Sequence, residues 1–232
     1  MSMLLKFENV NKSYYKKTVL EGLSFELERG KIIGLVGPNG SGKTTILRML
    51  AGLVKYQVGT IKIDGLPVGY LTKNKVAFMP DHNLFDKKMT VGAAIAFYKD
   101  FYKDYNDERS EALLAFYQLD KKDKIQNLSK GNVEKLLLLV TLSREAQLYV
   151  LDEPLGGIDP VSKNKIINSI IDHFDGEDSS VLISTHLLKD TERIFDEVLF
   201  LKEGQIVLAG NCDDLRETHG KTIEDIYIDI FS

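Results

Sequence analysis

The run Gly37-Pro-Asn-Gly-Ser-Gly-Lys-Thr44 constrains this chain more than any other feature of its sequence. It follows Lys31-Ile-Ile-Gly-Leu-Val36, a short and nearly continuous apolar segment of the kind that lies buried on both faces in a parallel sheet. It precedes Thr44 to Leu53, where Ile46, Leu47, Leu50 and Leu53 recur at helical spacing and Gly52 stands near the end as a terminator. A glycine-rich turn between a buried strand and a helix lets backbone N–H groups converge on phosphate oxygens, with the partial positive charge of the helix N-terminus behind them. The pattern G-x-x-x-x-G-K-[ST] in this setting predicts a nucleoside triphosphate site. Gly37, Pro38, Asn39, Gly40, Ser41, Gly42 and Thr45 form the cradle, Lys43 reaches the β and γ phosphates, and Thr44 reaches Mg²⁺. Chance supplies on the order of 0.01 such matches in a chain of this length, so the loop outranks any bland glycine turn.

The rest of the chain fits an α/β architecture. Leu5, Phe7 and Val10, then Leu23, Phe25 and Leu27, are spaced for strands with one buried face, which predicts an antiparallel sheet at the N-terminus. Val58 to Gly65 reads as a hairpin piece closed by Asp64-Gly65, and Lys75 to Met79 as a short strand before Pro80. Between Thr90 and Val140 there is no proline, and Ile95, Phe97, Leu113, Leu114, Phe116 and Tyr117 fall at mostly helical intervals, which predicts an inserted helical subdomain. Strands resume at Leu148 to Leu151, Ser180 to Ile183 and Val198 to Leu201, separated by helical stretches in the rhythm of a mostly parallel sheet. One domain over 1–232 is expected, with 1–85 and 146–232 as the core and 86–145 as the helical insert.

Leu148-Tyr-Val-Leu-Asp-Glu-Pro154 ends an apolar strand in two carboxylates. Successive residues at a strand end project in different directions, so Asp152 suits Mg²⁺ and Glu153 suits the attacking water as general base. A solvated strand-to-loop junction is the alternative reading of the pair taken alone.

Downstream of these motifs in chemistry but between them in sequence lies Leu128-Ser-Lys-Gly-Asn132, and with it the chain resembles the ATP-binding cassette family of transporter ATPases from about Leu4 to Phe231. The resemblance implies a P-loop NTPase core with a mostly parallel sheet, an N-terminal antiparallel β subdomain and an inserted α-helical subdomain. It implies that Ser129 and Gly131, in a degraded form of the family's LSGGQ signature with Lys130 and Asn132 at the altered places, meet the γ-phosphate of ATP held by a second subunit. It assigns Tyr14 to stacking on adenine, with adjacent Tyr15 as the competing choice. It assigns Asp159, in Gly156-Gly-Ile-Asp-Pro160, to the loop that touches the opposite subunit, although an Asp before Pro160 also suits a helix cap. His186, in Ser-Thr-His, resembles the switch histidine at the γ-phosphate. Asp81 departs from the family's glutamine; as a carboxylate it is either a metal ligand or a turn residue.

Composition bounds the partners. With 44% hydrophobic and 28% charged residues the chain is an ordinary globular one, and 30 basic against 34 acidic residues leave no general footprint for nucleic acid, so none is expected as a partner. The single Cys212 excludes an internal disulfide. The longest apolar run, Leu136 to Val140, is far short of the roughly 20 residues of a membrane span, and Met1 to Asn11 lacks the apolar core of a secretory signal. A cytoplasmic ATPase on the inner face of the membrane is expected. The resemblance implies membrane-spanning partner subunits docked near the helical insert and the Asp81 loop, and a second ATPase subunit, identical or different; the short ending resembles small exporter-type members. A soluble mechanical ATPase acting on nucleic acid or ribosomes, or a module that holds ATP without turnover, are the rival functions.

Overall fold

The computed structural model describes residues 2–156, 158–174 and 178–232, so Gly157 of the loop before Asp159 lies outside them. Strands β1 (Met3–Tyr14) and β2 (Lys17–Glu28) form an antiparallel pair with Phe7 opposite Phe25, their rings stacked at 4.5 Å. On the other side β1 pairs with β4 (Val58–Ile63), which turns through Asp64 and Gly65, both at positive φ, into β5 (Leu66–Pro67). An Asp-Gly turn of this hand matches the twist of the strands it joins, so the hairpin expected from the sequence forms.

The second sheet has six strands in the order β10-β9-β3-β8-β7-β6. These are β3 (Ile32–Val36), β6 (Val76–Met79), β7 (Leu148–Asp152), β8 (Ser180–Thr185), β9 (Glu197–Lys202) and β10 (Gln205–Asn211). All neighbours are parallel except the β9-β10 hairpin. The apolar runs are continuous because both faces are covered. Ile33, Leu35, Val150 and Leu182 face a core shared with β1 and with α1 (Lys43–Leu50), while Ile32, Val36, Leu151 and Ile183 face the other core, under the remaining helices.

Helix α1 is shorter than its periodicity predicts. Gly52, at φ +69, takes the left-handed conformation that closes a helix, and Leu53 falls beyond it with 61% of its surface exposed. In the insert, Thr90, Asn106 and Ser129 cap α2 (Val91–Phe101), α3 (Asp107–Tyr117) and α4 (Lys130–Leu142), each accepting a backbone N–H three residues on. Phe97 and Phe116 lie on the exposed sides of their helices. Leu136 to Leu142 of α4 are buried all round, which makes this helix a core element. Arg144, just after it, is buried and bonds the Asp104 carboxylate at 2.8 Å and the Val76 carbonyl at 2.6 Å, fastening the insert to β6. Replacing Leu138, which is fully buried, by alanine is expected to remove about 2–5 kcal/mol of stability, read as a lower midpoint in urea. The chain closes with α5 (Pro160–His173), α6 (Leu188–Thr191), α7 (Cys212–His219) and α8 (Ile223–Phe231).

Candidate functional site

The Gly37–Thr44 loop joins β3 to α1 at the C-terminal edge of the parallel sheet. Its glycines are fixed by space and by conformation. A Cβ on Gly37 would sit 2.4 Å from the Leu201 carbonyl oxygen, and Gly42, at φ +112, is pressed against Leu20 of β2. The N-cap of α1 is therefore a glycine without a side-chain cap, and its first turn has no acidic residue. Its leading N–H groups are left for an external acceptor. Gly40, at φ +82, has no atom within 4 Å of where a Cβ would be, so the loop offers an open backbone concavity.

Lys43 is buried, and its Nζ donates to the carbonyls of Gly37 at 2.7 Å and Pro38 at 3.3 Å and lies 3.5 Å from Glu153 Oε1. Burial lowers its pKa, and the charge of Glu153 opposes that shift. Thr44 Oγ1 donates to Asp152 Oδ1 at 3.2 Å. The same oxygen accepts from Ser184 Oγ at 2.6 Å, because the parallel register sets Asp152 opposite Ser184. Asp152 is fully buried; burial raises its pKa and the two hydroxyl donors pull it back. Among the described residues its Oδ2 has no hydrogen-bond partner, and neither does the buried Ser41 Oγ. An orphan carboxylate oxygen beside a neutral hydroxyl is a hard-oxygen donor set, the chemistry Mg²⁺ prefers when phosphates and waters supply its remaining ligands. The residues present fit that ion.

Glu153 adopts φ +50, a conformation that side-chain-bearing residues avoid. Its N–H donates to Ser184 O at 3.2 Å and Ser184 Oγ at 3.0 Å, which holds the turn. The carboxylate then spans two side chains, Oε1 toward Lys43 Nζ and Oε2 at 2.9 Å from His186 Nδ1. Ser184 was not singled out in the sequence; its place in Ser-Thr-His, on the strand next to Asp152, is the signal that would have found it.

Lys43, Thr44, Asp152, Glu153 and His186 thus gather in one cluster. Asp81 stands at its margin, with Oδ1 on Arg48 of α1 at 3.4 Å and on His82 Nδ1 at 2.6 Å, while its charge still reaches Asp152. The other residues lie apart. Tyr14 ends β1, half exposed, with Lys12 over its ring at 4.6 Å, and Tyr15 forms the adjoining turn, fully exposed. Ser129 caps α4 through Asn132 N–H at 3.2 Å, and Gly131 sits against Ile158. Asp159 caps α5, accepting from Val161 and Ser162 N–H, and these bonds lower its pKa. No hydrogen bond or ion pair joins Ser129, Lys130 or Asp159 to the Gly37–Thr44 loop among the described residues.

The sequence profile of the ABC transporter family matches residues 20–156. An uncharacterized ABC transporter ATP-binding protein of Methanocaldococcus jannaschii, MJ1023, is 34% identical over 216 residues, covering 93% of this chain and 80% of the relative. The SkfA peptide export ATP-binding protein SkfE of Bacillus subtilis is 33% identical over 210 residues, covering 88% of this chain and 87% of its own. The solved ATP-binding subunit of an ABC transporter superimposes with a TM-score of 0.87 at 26% identity, covering 97% of this chain and 98% of that one.

Proposed function

The chain belongs to the ABC transporter family, as an ATP-binding subunit with ATPase activity, and on that footing we propose which residues carry the reaction and how it is harnessed. Two chains sandwich two ATP molecules, each between the Gly37–Thr44 loop of one chain and the Ser129–Gly131 segment of the other, and closure of the pair drives membrane-spanning subunits. The observation that carries this reading is the Glu153 carboxylate held between Lys43 and His186, beside the orphan oxygen of Asp152.

The triphosphate lies over the uncapped N-terminus of α1, where backbone N–H groups bond its oxygens. Lys43 leaves the Gly37 and Pro38 carbonyls for the β and γ phosphates, whose charge compensates its burial better than neutral carbonyls do. Tyr14 stacks on the adenine. Thr44 and Asp152, with Asp81 as the outer carboxylate, would hold Mg²⁺, which would supply positive charge against that developing on the triphosphate. Glu153 accepts a proton from the water that attacks the γ-phosphorus, the bond to the bridging oxygen breaks, and ADP and phosphate result. His186 fixes the Glu153 carboxylate and relays the proton to solvent. Asp159 contacts the opposite chain. The protein works at the inner face of the membrane through its partners; among the described residues no helix is long and apolar enough to cross a membrane.

Thr44→Val tests the assignment of the metal. The substitution keeps the shape and removes the hydroxyl, so ATP affinity in EDTA is expected to stay unchanged while the gain on adding Mg²⁺ is largely lost in calorimetry. A Mg²⁺ response equal to that of the native protein would remove Thr44 from the metal site.

A further inference from the structure

Strand β8 ends in two consecutive hydroxyl residues, Ser184 and Thr185, only 0% and 2% exposed. Val181, Leu182 and Ile183 before them are apolar and buried, and a hydrocarbon side chain would suit the same surroundings. A buried hydroxyl destabilises a fold unless it is bonded, so the bonds these two make show what they are kept for. Ser184 Oγ donates to Asp152 Oδ1 at 2.6 Å and accepts the Glu153 N–H at 3.0 Å, which commits its one proton as well as a lone pair. Thr185 Oγ1 accepts the Leu187 N–H at 2.9 Å and so closes the turn that carries His186 off the strand. The register sets both places: Ser184 stands opposite Asp152 of β7, and Thr185 opposite Val36, the last residue of β3 before the Gly37–Thr44 loop. The two hydroxyls therefore grip the backbone on either side of the contact between Glu153 Oε2 and His186 Nδ1. The grip on Glu153 opposes strain, because a residue with a side chain keeps φ +50 only where its surroundings hold it there.

We propose that Ser184 and Thr185 are the positioning residues of the hydrolytic pair, Ser184 fixing Glu153 through its backbone N–H and Thr185 fixing His186 through its turn. Neither side chain touches the reacting atoms. Without the Ser184 hydroxyl, Glu153 N–H keeps only the Ser184 carbonyl at 3.2 Å, and the left-handed turn loosens; Asp152 still has Thr44 as a donor. Without the Thr185 hydroxyl, the His186 ring drifts from the carboxylate it steadies. A misplacement of about 1 Å in such a constellation costs up to about a hundredfold in rate. The inference rests on the reading of Glu153 as the general base with His186 as its partner.

The test compares Ser184→Ala, Thr185→Val and Thr185→Ser in the full-length protein. Valine keeps the branched shape of threonine, and serine keeps its hydroxyl. Single-turnover hydrolysis of ATP with Mg²⁺ slows by about tenfold or more in Ser184→Ala and Thr185→Val and stays within about twofold of native in Thr185→Ser, while ATP affinity in EDTA is unchanged in all three. Histidine-selective nitrogen NMR of the nucleotide-free protein reads the pair without turnover, the His186 signal being identified by its loss in His186→Asn. The resonance of its hydrogen-bonded Nδ1 moves in Ser184→Ala and Thr185→Val and stays in place in Thr185→Ser. Hydroxyls kept only for the fold would lower the melting temperature and leave rate and resonance as they are. On a Glu153→Gln background Ser184→Ala lowers the residual rate no further, because it acts through that residue. Native rates with an unmoved His186 resonance, a loss in Thr185→Ser equal to that in Thr185→Val, or a further drop on the Glu153→Gln background overturns the proposal. Should Ser184→Ala fail to fold, the two Thr185 variants decide alone. Native turnover by Glu153→Gln defeats the functional reading, whereas an inactive Glu153→Gln beside fully active Ser184→Ala and Thr185→Val defeats only this inference.

Discussion

Glu153→Gln is expected to leave ATP binding in place and to cut steady-state hydrolysis by a factor of about 10² to 10⁴, the usual contribution of a positioned general base. The amide keeps the size of the side chain, so the left-handed turn held by Ser184 persists. It still offers an oxygen toward Lys43 and a polar group toward His186, but it cannot take the proton of the attacking water. An ATP-trapped dimer should build up and elute ahead of the monomer in size exclusion with Mg²⁺. Persistent turnover at the native rate, with no such species, would place the base elsewhere and dissolve the role given to His186 with it.

The second large effect concerns the composite site. Lys43→Ala removes the only lysine that stands inside the Gly37–Thr44 loop, and ATP binding should fall accordingly. Ser129→Arg adds a bulky cation where α4 begins and removes its cap, but it lies outside the cluster of Lys43, Thr44, Asp152 and Glu153, so ATP binding to the single chain should remain. Each variant alone is expected to be inactive. Mixed together, they form heterodimers in which one site has both an intact loop and an intact signature segment, and activity should return. The native rate per chain should also rise with protein concentration, because the two halves come from different molecules. A strictly monomeric protein in the ultracentrifuge with ATP, hydrolysing at a rate per chain independent of concentration, would refute the two-chain arrangement.

Much of the site was legible because its chemistry is local. The Gly37–Thr44 loop is contiguous, and strand, glycine turn and helix are each encoded by patterns a few residues long. The paired carboxylates of Asp152 and Glu153 likewise announce themselves at the end of an apolar run. The Asp64-Gly65 hairpin follows from turn chemistry alone. Where local signals compete, the reading slips: Leu53 continues the helical period of α1, but Gly52 ends the helix first. Asp159 and Ser129 illustrate the opposite difficulty, since each caps a helix in this chain whatever else it does, and a cap and a ligand look alike in sequence.

The sequence by itself determined the class of ligand and the alternation of strands and helices, and it offered the residues we propose around the phosphates, because these depend on neighbours along the chain. The tertiary structure decided which of them meet. Strand β8 lies between β3 and β7, so Ser184 comes to hold Asp152 and the Glu153 turn through contacts some 30 residues apart, beyond the reach of any periodicity. The fold also turned Asp81 toward Arg48 and His82, and it brought α4 against the loop after β6, leaving Glu134 buried with an oxygen that finds no hydrogen-bond partner among the described residues. Burial and cross-element pairing arise only when separate segments pack, and it is packing that sets whether a carboxylate is satisfied, strained or waiting for a partner.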